Sequence, residues 1–308
     1  GEGLHLTASI GIGLFLPPAD DAITMISRAK KACCRARQHG GNRVDVNAPA
    51  IPNPPGPARS NHIADLVQEA LRSGGFTLSY QPLVPLRLRP GERYEVLLRL
   101  HTQDGELIPP FDFLPAARQA GLMPEIDRWV MQRALDEAQS HCRARPGLQV
   151  LIRQTLDSVG SRDWVTWLRD EIVRRDLIRH RPALIFDLDD VAAQSDRARA
   201  RFAELRRLGI DICLNHMDDS VGAMLLLAEL PISLVRLHQS APSEMPNARL
   251  LGLVAAVREC GAAVIATRLE DPQAIGRVWG CGVDYIQGNF IQPASERFDF
   301  DFEGFELV

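Results

Sequence analysis

No apolar run in this 308-residue chain approaches the roughly 20 residues that a membrane-spanning helix needs, so no membrane insertion is expected. No two cysteines stand at C-x-x-C spacing. The six (Cys33, Cys34, Cys142, Cys213, Cys260 and Cys281) are read as reduced thiols of a cytoplasmic protein, with Cys213 and Cys281 as core fillers. No strong excess of one charge is present. A net charge of -4 gives no field that would gather a nucleic acid polymer or an anionic membrane. No signal peptide opens the chain, and Gly1 is read as a start inside a longer protein. The balance that remains, 45% hydrophobic and 24% charged, is that of a globular protein long enough for one large domain and a fragment of another.

The most informative stretch is Tyr94-Glu95-Val96-Leu97-Leu98-Arg99-Leu100. It lacks a clean period-two alternation and reads as a strand buried on both faces. Glu95 and Arg99 inside such a strand are costly unless they meet a ligand, a metal or each other. The residues alone leave a structural ion pair and a binding site equally open. A second strand, Thr77 to Val84, precedes it across a segment containing Pro90-Gly91.

Strands and helices then alternate. Helices are expected at 111–120, 125–142, 161–175, 195–208, 221–230, 247–261 and 272–279. Strands are expected at 148–153, 183–188, 211–214, 234–237, 263–266 and 285–286. Repeated βα units of this size predict an α/β fold of the (β/α)8 TIM type, with no helix between the first two strands. Polar residues at the C-terminal ends of the strands are then the site candidates.

Ahead of the barrel, Asn61 is expected to cap a helix running to Arg72, after a proline-rich linker over 47–60. Residues 1–46 form a small α/β piece: a strand at 6–13, a helix over 20–38 with Ile23, Ile26, Ala29 and Ala32 on one face, and an edge strand at 43–46. The expected division is therefore 1–46, 47–60 and 61–308.

Tyr80-Gln81-Pro82, then Glu95-Val96-Leu97-Leu98-Arg99, then Asp284-Tyr285-Ile286-Gln287-Gly288 resemble the opening and closing motifs of EAL domains, the bacterial cyclic di-GMP phosphodiesterase family. The likeness covers roughly residues 63–293. It implies a barrel with one reversed strand. The N-terminal piece resembles the last part of a GGDEF domain, without that family's upstream cyclase signature.

Hydrolysis in active EAL enzymes uses divalent ions held by carboxylates. By resemblance Glu95 and Gln287 are kept, and Asp187 is a shortened substitute. Arg153, Asn215, His216, His238 and Thr267 stand where metal ligands would be, and Arg236 replaces a lysine. An arginine cannot be deprotonated in a protein. The expectation is thus a degenerate EAL domain with no catalytic residue, no metal and no enzyme activity. The likeness extends to FimX-type receptors, which implies cyclic di-GMP as ligand and a PilZ-domain protein as partner in type IV pilus control. The expected ligand-binding residues are Gln81, Glu95, Leu97, Leu98, Arg99, Asp127, Arg153, Leu269, Glu270 and Gln287. Arg99 and Arg153 would take phosphates, Leu97 and Leu269 a base face, and Asp127 and Glu270 guanine N–H groups. A weak metal-dependent phosphodiesterase and a ligand-free scaffold are the alternatives. The Trp164/Trp167 helix and the tail Phe298 to Phe302 are expected as exposed partner surfaces.

Overall fold

The computed structural model describes residues 8–13, 29, 30, 32, 33, 36, 44–47, 57–87, 91–102, 107–270 and 272–305. The chain divides into two compact units, Gly1–Ile63 and Ala64–Val308.

In the first unit, strand β1 (Ile10–Gly13) pairs in parallel with β2 (Val44–Asn47), Ile10 opposite Val44. Residues 29, 30, 32, 33 and 36 are helical, and Ala32 and Ala36 are fully buried. A Cβ on Gly11 would fall 2.1 Å from the Ala29 carbonyl oxygen and the Cys33 nitrogen, so strand and helix touch backbone to backbone and only glycine fits. The expectations on Ile23 and Ile26, and residues 48–56 of the proposed linker, lie outside the described residues.

Helix α1 runs Pro57–Ser73 and starts earlier than expected. Asn61 is inside it and is not its cap. Proline is tolerated in a helix's first turn, where its missing N–H has no partner to lose. Reading every proline here as linker therefore placed the start too late.

The barrel strands are β3 (Phe76–Pro85), β4 (Arg93–His101), β6 (Gln149–Arg153), β7 (Ala183–Asp187), β8 (Asp211–Met217), β9 (Leu234–Leu237), β10 (Ala263–Ala266) and β11 (Tyr285–Ile286); a two-residue strand β5 (Leu107–Ile108) lies beside β4. Outside them lie α2 (Pro110–Gln119), α3 (Met123–His141), α4 (Leu156–Val159), α5 (Arg162–Arg174), α6 (Leu188–Ala193), α7 (Ser195–Arg207), α8 (Val221–Glu229), α9 (Ala241–Glu244), α10 (Asn247–Glu259) and α11 (Pro272–Gly280).

The order β3-β11-β10-β9-β8-β7-β6-β4 closes through a β3–β4 pairing. β3 runs antiparallel to both of its neighbours, and the other barrel pairs are parallel. This is the TIM-type barrel that the alternating strands and helices predict, modified by the one reversed strand that the motif resemblance implies.

Leu83, Leu151, Ala183, Ile185, Cys213, Leu234, Ile265 and Tyr285 form one buried cluster inside the ring. Fully burying each of the larger ones contributes about 1.5–3 kcal/mol. Side chains alternate along a strand. Two residues further on, the inward positions are therefore Arg153, Asp187, Asn215, Arg236, Thr267 and Gln287, joined by Glu95 and Gln81, which pair across β3 and β4. An apolar layer thus carries a polar one at the strands' C-terminal mouth.

The C-terminal tail packs onto the barrel wall, which corrects the expectation of an exposed partner surface. Tyr80 and Ser295 exchange backbone hydrogen bonds of 2.6 and 3.0 Å. Phe298 and Phe300 are buried, the Phe298 ring lies 4.2 Å from Tyr80 and 4.9 Å from Tyr94, and the Phe300 N–H donates to the Tyr94 hydroxyl. Burial pushes the Tyr94 hydroxyl up to about 12, so it stays protonated. Trp164 is likewise buried, and Trp167 carries the Arg128 guanidinium 4.4 Å above its ring. Trp164, Phe298 and Phe300 are thus taken up by the fold's own packing, while Trp167 and Phe302 are half-buried.

Candidate functional site

β4 and β9 stand diametrically opposite in the ring, four strands apart in either direction. From them Glu95 and Arg236 reach across the interior, and Arg236 Nη1 donates to Glu95 Oε1 at 2.5 Å. Gln287, from β11 between them, completes the set. Its Nε2 donates to Glu95 Oε2 at 2.8 Å and its Oε1 accepts from Arg236 Nη2 at 2.9 Å. All three are buried. Burial alone would raise the Glu95 carboxyl. The Arg236 charge and hydrogen bond outweigh that and hold it below the usual range, so Glu95 is an anion and an acceptor.

A second cluster joins three adjacent strands. Arg153 Nη1 donates to both carboxylate oxygens of Asp187, at 2.7 and 2.9 Å, and Asn215 Nδ2 donates to Oδ1 at 2.6 Å. Burial raises Asp187, but Arg153 and Asn215 bring it below the ordinary value. His216 lies beside this cluster, its Nδ1 3.5 Å from Asp187 Oδ1. It holds a left-handed backbone at φ 64°, a conformation that costs a non-glycine residue about 1–3 kcal/mol and concentrates at functional sites. Arg153 keeps 40% of its side chain exposed, so its guanidinium faces the mouth.

The remaining candidates are placed unevenly. Leu97 and Arg99 share the inward face of β4 with Glu95 and are half-buried, and the Arg99 Nη1 is held by the Leu98 carbonyl at 3.0 Å. Burial lowers the Arg99 value, with the Glu95 charge opposing. Leu98 points to the other face of the strand and is buried, so it stands apart from the cluster. Gln81 donates to Asn289 Oδ1 at 3.2 Å and to the Gln292 carbonyl at 3.1 Å, which ties β3 to the segment after β11.

Asp127, on α3, sits in a separate buried network. Its Oδ2 accepts from the Thr155 N–H, the Thr155 hydroxyl and the Ser158 hydroxyl, at 2.8, 2.9 and 2.6 Å. Burial nevertheless raises its carboxyl above the usual value. That oxygen braces the turn after β6. Leu269 is fully buried and offers no face to a base, which corrects its expected role; Glu270 beside it is exposed. Sequence reasoning missed the Thr155–Ser158 cap. Its signal was present as a hydroxyl three residues ahead of a second one.

A divalent-ion centre needs several free oxygen donors. Here the two inward carboxylates, Glu95 and Asp187, each hold a guanidinium. Among the described residues no group of three His, Cys, Asp or Glu is placed to hold a metal. The donors as arranged do not fit a two-metal centre, and no step is derived through one.

An eight-stranded α/β barrel with one reversed strand and a charged C-terminal mouth defines the class. The EAL domain family matches residues 64–294, three quarters of the chain, and the chain belongs to that family. An uncharacterised 76.5 kDa protein of Thiocystis violacea is 36% identical over 300 residues, covering 97% of this chain and 43% of that protein. The cyclic di-GMP phosphodiesterase PdeB of Shewanella oneidensis is 25% identical over 295 residues, 91% of this chain and 33% of that protein. This chain thus spans less than half the length of both relatives. Among solved structures, the FimX EAL domain of Pseudomonas aeruginosa bound to c-di-GMP is 26% identical, with a TM-score of 0.73 over 78% of this chain and 99% of that one.

These likenesses correct one expectation. The chain was expected not to be an enzyme, yet PdeB, which aligns along nine tenths of it, is named a phosphodiesterase. Among the described residues no helix is long and apolar enough to cross a membrane.

Proposed function

We propose that the C-terminal mouth of this barrel binds cyclic di-GMP, and that Arg99 and Arg153 grip its phosphates. The observation that carries this is Arg153, a partly exposed guanidinium set at the end of β6 by its Nη1, which donates to both carboxylate oxygens of Asp187. Guanidiniums fork onto phosphate oxygens through charge-assisted hydrogen bonds. Leu97, between Glu95 and Arg99, supplies an apolar surface for a base, and exposed Glu270 supplies an acceptor for guanine N–H groups. The fixed positive groups make binding independent of a divalent ion. Likeness to the FimX EAL domain bound to c-di-GMP supports the ligand; a PilZ-domain partner in type IV pilus control rests on the motif resemblance in the sequence alone.

The second reading is phosphodiester hydrolysis. It is favoured by the name of PdeB and by the presence of Glu95, Asp187 and Gln287 together in one polar layer. The N-terminal unit is read as the end of a GGDEF-type domain, supported by the parallel β1–β2 pair and the helical residues packed on Gly11.

Calorimetry with cyclic di-GMP in EDTA tests the binding reading: heat of binding is expected, and silence with and without manganese overturns it. Incubation with manganese and a search for linear product tests hydrolysis.

A further inference from the structure

The barrel has a second charged mouth. Two residues before the apolar layer, β6 and β8 present Gln149 and Asp211; Arg93 opens β4 opposite Gln149, and Arg181 stands just ahead of β7. A cavity of about 230 Å³ opens there, lined among others by Arg93, Arg179, Arg181, Gln149, Gly147 and Gly209. No Asp or Glu is among its lining residues.

Two carboxylates at the starts of the adjoining strands are engaged. Asp211 takes Arg206 on Oδ1 at 2.6 Å and Gln149 on Oδ2 at 3.1 Å, and Glu92 is paired with Arg145. Arg93 donates to the Tyr285 hydroxyl and lies over that ring, 4.8 Å from its centroid. Arg179 and Arg181 have no carboxylate partner among the described residues. A neighbouring cavity of about 380 Å³ shares Arg93 but is balanced by Asp211 and Asp284 against Arg258. Of the two cavities, the smaller is the one whose lining carries arginines and no carboxylate.

The walls are built to hold these groups. Gln149 Nε2 donates to the Arg181 carbonyl at 3.3 Å, and His180 Nδ1 lies 3.0 Å from the Leu148 carbonyl oxygen. Gly209 has φ +74°, and a Cβ there would sit 3.3 Å from Arg181 Cδ and Nε, so the glycine leaves the arginine stem its place. A Cβ on Gly147 would fall 2.5 Å from Gly91 Cα, which fixes the rim beside Arg93 by direct backbone contact. Gln149 Oε1 is buried without a hydrogen-bond partner.

We propose that this cavity is an anion site for a compact phosphate group, carried as phosphate, pyrophosphate or a phosphate ester. It is separate from the C-terminal mouth. Three arginines line one small cavity whose lining holds no carboxylate, and guanidiniums match the charge and the fork geometry of phosphate oxygens.

Inorganic pyrophosphate is the probe, titrated calorimetrically at low ionic strength into the full chain saturated with cyclic di-GMP, and into the free chain. Arg181→Gln and the more exposed Arg179→Gln are each expected to weaken pyrophosphate binding about tenfold or more, the scale of a lost charge-assisted bond. Both should keep the wild-type melting temperature. Arg153→Gln, at the other mouth, is expected to leave the site's affinity unchanged. Wild-type affinity in both basal variants, loss of binding in Arg153→Gln alone, or no heat from wild type at millimolar pyrophosphate overturns the proposal. The free-chain titration reads these outcomes whether or not cyclic di-GMP binds.

Discussion

Glu95 and Arg236 lie 141 positions apart in sequence and on opposite walls of the barrel, yet their side chains meet in its interior. Taking a single strand out of register by two residues would break this pair, because only one position on each strand reaches the polar layer.

Removing one partner leaves a buried charge alone. Arg236→Met is expected to lower stability by about 3–5 kcal/mol, the range for a broken buried pair. Adding Glu95→Gln should recover part of it. Urea unfolding of the single and double variants checks both, and an unchanged midpoint in Arg236→Met would show that the pair does not form.

Arg99→Ala and Arg153→Ala are each expected to weaken cyclic di-GMP binding by about 1.5–3 kcal/mol, the scale of a hydrogen bond to a charged group. Calorimetry reads this directly. Unchanged affinity removes the substituted residue from the site.

Gly288→Ala probes the loop that carries Leu269 and Glu270. A Cβ there would fall 2.1 Å from the Leu269 carbonyl oxygen, and the obstacle is backbone rather than a movable side chain. The expected loss is about 1–3 kcal/mol, typical of overpacking, with lower ligand affinity as the loop shifts. A thermal melt matching wild type would contradict the close approach.

The pH dependence of stability has two opposite parts. Glu95 and Asp187 titrate below their unfolded values, so what they contribute is complete above about pH 4 and is lost as pH falls through the folded values. Asp127 is raised by burial, so its contribution is complete below about pH 4 and declines as pH rises through its folded value. Asp127→Asn should therefore gain stability relative to wild type between about pH 4 and pH 7. Chemical denaturation across that range measures the difference, and a flat difference contradicts the assignment.

Much of the fold was legible because parallel barrel strands are short apolar runs between amphipathic helices. The strands Leu234–Leu237, Ala263–Ala266 and Tyr285–Ile286 fall where the sequence places them. The helices Leu156–Val159, Leu188–Ala193 and Ala241–Glu244 were not legible, since one turn is too short to show a period. At the site, residue types gave the polar mouth, but not who meets whom. Arg153 pairs with a neighbouring strand and Arg236 with the far wall, and the strand order that decides this is a property of closure. The basal arginines were missed for a similar reason. Arg93, Arg179 and Arg181 come from separate segments with no motif in common, and only the closed ring brings them together.

The tail packed on Tyr80 and Tyr94 has a practical consequence for where the protein can be cut. The family's own boundary falls at residue 294, one position short of the Ser295 bridge and four short of Phe298. A fragment trimmed to that boundary would expose two tyrosine rings on the outer surface of the reversed strand and its partner, inviting aggregation. Expression of the barrel alone should therefore carry the sequence through at least Phe302.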